Sequence, residues 1–140
     1  MATIVTRAGK GSALTWTEGD NNITNLNNDK LEKSGGTITG YKETVYNIGT
    51  TSGTIAPDVA NGNVQKITLN GNLTLNAFTN PVAGQSLTLI VNTNGTSRTL
   101  TSSMLYAGGS KTLSTTNTTD IISVFYDGTN YYASLSKGFA

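Results

Sequence analysis

Beyond residue 43 the chain carries three side-chain carboxyl groups, Asp58, Asp120 and Asp127. General acid–base catalysis by paired carboxylates needs two of them in one pocket, and nothing in their spacing pairs them. The chain has no histidine and no cysteine. That removes Ser-His and Cys-His nucleophile pairs, and it leaves ordinary zinc sites without ligands. "DGTN" (127–130) lacks the alternating Asp/Asn series and the closing Glu of a calcium loop. An Asp that opens a Gly-containing turn instead bonds its own backbone. "GKGS" (9–12) is no phosphate loop, because the earlier glycine and the strand–helix setting are missing. The expectation is a protein that is not an enzyme, with no catalytic residue, no cofactor and no metal.

The aromatic side chains are the better candidates for binding. "VFYDGTNYYASL" (124–135) holds four of the ten Phe, Trp and Tyr residues. Period-two alternation puts Ile122, Val124 and Tyr126 on one strand face and Ile121, Ser123 and Phe125 on the other. After the turn, Tyr131, Ala133 and Leu135 share a face, opposite Tyr132 and Ser134. Both faces of the first strand are largely apolar, the pattern of a strand buried on two sides. Most of these rings are therefore expected in a core or a subunit interface. The competing reading is an exposed ring that stacks on a glycan, with Tyr126, Tyr131 and Tyr132 as candidates and Tyr132 first among them.

These residues sit in an unusual chain. Thr, Asn, Gly and Ser make up 69 of the 140 residues, 17 are charged, and the net charge is +1. No long-range field draws such a protein to nucleic acid or to an anionic membrane. Abundant Thr, Val and Ile favour strands. Ten of the charged residues lie in 1–43, so a charged front segment precedes a neutral, strand-like remainder. No apolar run is long enough for a signal peptide core or a membrane span, and a reducing cytoplasm is the expected place of synthesis.

Residues 1–14 read as an extended arm. Thr15 and Glu18 then have the spacing of a capping box, opening a helix with Trp16, Ile23 and Leu26 on one face and Leu31 further along it. Gly19 and five asparagines weaken that helix, so it needs a partner surface. Residues 1–33 form this N-terminal segment, 34–60 a linker with short β structure, and 61–140 a C-terminal β-domain. Within the last, Asn70-Gly71 between "VQKITL" and "NLTLNAF" predicts a hairpin. Asn94-Gly95 marks another turn, and "IISVFY" and "YYASLS" flank Asp127–Asn130. Short strands with turns every eight to twelve residues predict an antiparallel β-sandwich of jelly-roll-like form. Such a small unstapled domain is thinly cored, and self-association would remedy that.

Four stretches resemble bacteriophage virion proteins. "KSGGTITG" (33–40) resembles a motif of tail-fibre proteins, and "ALTWTEGDNNITNLN" (13–27) is similar to an N-terminal segment of virion proteins. "NPVAGQSLTLIV" (80–91) and "SVFYDGTNYYASLSKGF" (123–139) resemble the C-terminal β-domain of fibre and appendage proteins. Together they cover about half the chain, in the expected order. The resemblance implies a homotrimer on the virion surface, attached to other virion proteins through the N-terminal segment by Trp16, Ile23, Leu26 and Leu31, and contacting host-surface glycan. Tail fibres are generally longer than this chain. The alternative is a capsid decoration protein, a cement or head fibre that ties the lattice together without a receptor.

Overall fold

A computed structural model describes residues 4–29, 39–115 and 118–140 of the protein. The chain divides into two compact units, Met1–Tyr41 and Lys42–Ala140, and among the described residues the strands lie in the second.

In the first unit the arm expected to be extended over residues 1–14 is interrupted by a helical turn at Arg7–Lys10, and residues 1–3 lie outside the described residues. Thr6 accepts a hydrogen bond from the Gly9 N–H and caps one helical turn, α1 (Arg7–Lys10). Gly11 ends that turn in the left-handed conformation. Helix α2 (Trp16–Asp29) follows. Its capping box forms as the spacing predicts, with Glu18 N–H on the Thr15 hydroxyl at 3.2 Å and Thr15 N–H on the Glu18 carboxylate at 2.7 Å. The same carboxylate pairs with Lys10. Asn22 clasps Val5 in both directions, accepting from its N–H at 2.9 Å and donating to its carbonyl at 2.8 Å. These polar bonds fold the start of the chain back onto α2, and none of them requires an apolar core.

The second unit is built on one mixed sheet of seven strands. They are β1 (Tyr46–Ile55), β2 (Val64–Leu75), β3 (Gln85–Asn92), β4 (Leu100–Ser102), β5 (Leu105–Tyr106), β6 (Thr119–Tyr126) and β7 (Tyr131–Phe139). The order is β1-β2-β3-β6-β7-β5, with β4 also on β2. Pairing is parallel for β1–β2, β2–β3, β2–β4 and β5–β7, and antiparallel only for β3–β6 and β6–β7. The antiparallel sandwich expected from the turn spacing is thus replaced by a solenoid-like arrangement. Three successive passes of the chain run the same way, stacking β1 on β2 and β2 on β3 followed by β4. The segment expected as a linker holds β1, which pairs with β2 over most of its length.

The corners stack as well. Asp58 bridges Thr79 in parallel register, and Thr79 N–H donates to Pro57 carbonyl at 3.0 Å. Buried Gln65 fixes the inner side of this corner, its amide donating to the carbonyls of Asp58 and Gly62 at 2.7 and 2.9 Å.

The hairpin expected at Asn70-Gly71 does not form. A two-residue hairpin turn of that type needs positive φ at both central residues, yet β2 runs straight through both. Between Thr51↔Leu69 and Gly53↔Leu73 the register shifts, so the pair sits in a bulge. A Cβ on Gly71 would lie 2.8 Å from the Ser52 Cβ. The glycine permits a close approach of two neighbouring strands rather than a reversal of one. Asn94-Gly95 does turn, both residues having positive φ, but it leads from β3 to β4, which continue along the same neighbour.

Alternation then sorts the sheet. Ile67, Leu69, Leu73 and Leu75 of β2, Leu87, Leu89 and Val91 of β3, and Ile122 and Val124 of β6 are buried. With Val59, Phe78, Leu100, Met104, Tyr106 and Leu113 they form one core cluster. Each such side chain contributes about 1.5–3 kcal/mol by leaving water.

Candidate binding surface

The hairpin β6–β7 forms as predicted, and its tip is held by Asp127. The carboxylate accepts from the N–H groups of Thr129 and Asn130, both at 2.7 Å. The Asn130 backbone bond, then that of Thr129, holds its carboxyl below the usual range. The other two aspartates are likewise engaged by the scaffold. Asp58 accepts from Ala60 N–H at 2.9 Å and from the Asn80 amide at 3.1 Å, and these bonds lower its pKa in that order. Asp120 is fully buried. It accepts from Ser114 N–H and hydroxyl, each at 2.6 Å, and from Gly138 N–H at 2.9 Å. It thereby joins β6, β7 and the loop before β6 opposite the bulge in β7.

The tyrosines separate into two kinds. Tyr126 and Tyr131 stack on each other, ring centres 4.4 Å apart and planes 23° from parallel. Tyr131 also meets Phe78 edge-on at 5.1 Å, and the Tyr126 hydroxyl donates to the Gly128 carbonyl at 2.8 Å. Burial, then the neighbouring Tyr126, raises the Tyr131 hydroxyl above its usual pKa. Both rings pack within the hairpin end. Tyr132 points the other way and is 47% exposed, as is Phe125 at 44%.

The outward face is therefore not that of a strand buried on two sides. The phasing of β6 and β7 holds, but within the unit only the inward face is covered. Directly paired residues across the sheet place Ser86, Phe125, Tyr132 and Leu105 in one row on β3, β6, β7 and β5. The next outward row is Thr88, Ser123 and Ser134. Along a strand the two rows are about 6.6 Å apart, two residues of extended chain. Of these, Ser86, Phe125, Tyr132, Thr88, Ser123 and Ser134 line a shallow groove of about 390 Å³, whose floor and walls include no charged residue. A second, more polar groove of about 290 Å³ lies further along the same face, lined by Asn47, Lys66, Thr68, Ile90, Asn92 and Thr119 among others.

Of the residues singled out from sequence, the groove thus takes Tyr132 alone. Phe125 and the four hydroxyl residues were not picked as site residues. Their signal was the alternation itself, since Thr88 sits between buried Leu87 and Leu89 and Ser123 between buried Ile122 and Val124.

The N-terminal candidates occupy a separate surface. Trp16 is 91% exposed, Ile23 69% and Leu26 60%, and helical spacing puts them in one stripe on α2. Leu31 lies outside the described residues. Among the described residues no helix is long and apolar enough to cross a membrane, and no cluster of three or more acidic, His or Cys side chains could hold a metal. Comparison of the chain with protein-family models, curated proteins and solved structures gives no match.

Proposed function

We propose that the chain is a bacteriophage virion structural protein, a short trimeric fibre-like appendage. Its N-terminal unit attaches to other virion proteins, and its β unit is displayed outward to contact host-surface glycan. The sequence resemblance supplies the class. The observation that carries the division of labour is α2, which keeps Trp16, Ile23 and Leu26 in water. A helix of this length is marginal alone, and its polar clasps orient the stripe without covering it. Burial of these three side chains against copies of the helix or a virion site would stabilise it by a few kcal/mol.

Two measurements on the intact chain test this reading. Light scattering should give three times 14.6 kDa, and a clean monomer at micromolar concentration would remove the trimer. The double variant Ile23→Gln, Leu26→Gln keeps helix-forming side chains while removing the stripe. It should fold, and it should be missing from purified particles. Incorporation at the level of the unaltered protein refutes the attachment role. Counting copies per particle separates the two virion readings, because hundreds would mean lattice decoration and a few tens an appendage.

A further inference from the structure

We infer that the groove on the outward face of β3, β6 and β7 is a binding site for an uncharged saccharide, with Phe125 and Tyr132 as its stacking platform. This deepens the appendage reading and rests on it only for where the ligand is found.

The geometry is that of a ring pair beside a hydroxyl row. Phe125 and Tyr132 are direct cross-strand partners, so their Cβ atoms lie about 4.5–5.5 Å apart and both rings rise from one patch. A pyranose has a face of C–H groups and a rim of hydroxyls. The rings offer apolar surface to the former. Ser86, Thr88, Ser123 and Ser134 around them each offer one donor and two acceptor sites to the latter. The groove volume of about 390 Å³ falls in the range of small-ligand sites, about 300–1,000 Å³.

Charge selects the class of sugar. None of the groove's lining residues is ionisable to an ammonium, guanidinium or carboxylate. A sialic, uronic or sulfated group would be desolvated there without a counter-charge, whereas a neutral sugar exchanges hydroxyl for hydroxyl. The same chemistry disfavours a second copy of this chain as the occupant. Interface centres are rich in aromatic residues but poor in Ser, and a stable protein contact needs about 800 Å² per partner. Here two rings stand beside four hydroxyl side chains.

Preorganisation adds to this. Both rings stand on a hairpin whose turn is closed by the two backbone bonds to Asp127, so little ordering is left for the ligand to impose.

The test is an amide chemical-shift titration of the full chain with lactose, N,N′-diacetylchitobiose, maltotriose and 3′-sialyllactose. At least one neutral probe should give saturable shifts centred on Ser123, Phe125, Tyr132 and Ser134, at millimolar affinity, with lactose binding no weaker than its sialylated form. Phe125→Ala and Tyr132→Ala should each weaken binding by about tenfold or more, and Tyr132→Phe should retain it. Ser134→Glu keeps the platform and adds a charge. It should abolish neutral binding, and it covers the case in which an alanine variant does not fold.

The site is overturned if no neutral probe shifts those residues. Undiminished binding in both alanine variants would overturn it too, as would tighter binding of sialyllactose than of lactose. Self-association that disappears with Ser134→Glu would assign the face to a second copy instead. Particles that carry the protein while the chain binds no probe reject the site and leave the appendage reading standing. Saccharide binding by a protein absent from purified particles does the reverse.

Discussion

The two units differ in composition, the first charged and the second sparsely so, and they hold together by opposite means. In the first, the described residues are fixed by side-chain clasps at Thr6, Asn22 and the Thr15–Glu18–Lys10 cluster, while its large apolar side chains stay exposed. In the second, packing on the inward face of the mixed sheet hides every second residue of β2, β3 and β6, and the polar surface is whatever remains. Polar clasps can set a conformation, but they add little net free energy, because each replaces a bond to water. A buried apolar row gains with every residue added to it. The first unit therefore leaves its apolar stripe uncovered, and the second buries a core of its own.

The sharpest way to break this contrast is to delete core volume. Ile122 is fully buried at the centre of β6, paired with Leu89 and Leu135. Ile122→Ala should cost about 2–5 kcal/mol, a large part of the stability of so small a domain. Urea unfolding followed through the aromatic signal of the hairpin should show the transition moving well down. A midpoint within error of the unaltered chain would mean that the core is not continuous through β6.

Next in size is the buried acid. Asp120→Asn preserves shape but turns an amide N–H₂ toward groups that are already donors, at Ser114 or Gly138. Leaving a buried donor unmatched costs about 1–3 kcal/mol. Hydrogen exchange should show the loss first at Ser114 and at the end of β7 near Gly138. Uniform loosening of the whole sheet would show instead that Asp120 acts through the global fold rather than as a local tie.

What could be read from the chain follows the same division. The mainly β class came from Thr, Val and Ile content. The capping box, the Asp127 turn and the β6–β7 hairpin were legible because each is a signal among residues a few positions apart. Parallel stacking was not. Tyr46 meets Gln65 and Val64 meets Thr88, and no residue between them announces those pairings. Asn70-Gly71 misled for a related reason. Glycine serves a turn through positive φ and a close strand approach through its missing Cβ, and the sequence does not distinguish the two uses. The groove was half legible, since alternation placed Tyr132 and Ser134 together. The apolar Ile121 and Phe125 suggested a second covering layer, which the unit itself does not supply.

The smallest effect belongs to the clasp that sets α2. Glu18 is held down to about 2, first by its hydrogen bond with Lys10 and then by the Thr15 N–H. Its folded pKa is depressed from a usual value near 4.5. The carboxylate's contribution is therefore complete above that value and is lost as pH falls through about 2. Glu18→Gln keeps the length and an acceptor but cannot ionise, so it isolates this part. The helical circular-dichroism signal of the variant should be slightly lower than that of the unaltered chain at neutral pH. The two should converge as pH falls toward 2, and added salt should shrink the gap, because the pair is exposed to solvent. A gap that persists at the acid end would mean that Glu18 acts by packing or shape rather than by charge. The first unit would then be held by more than its polar clasps, and the contrast with the second would weaken.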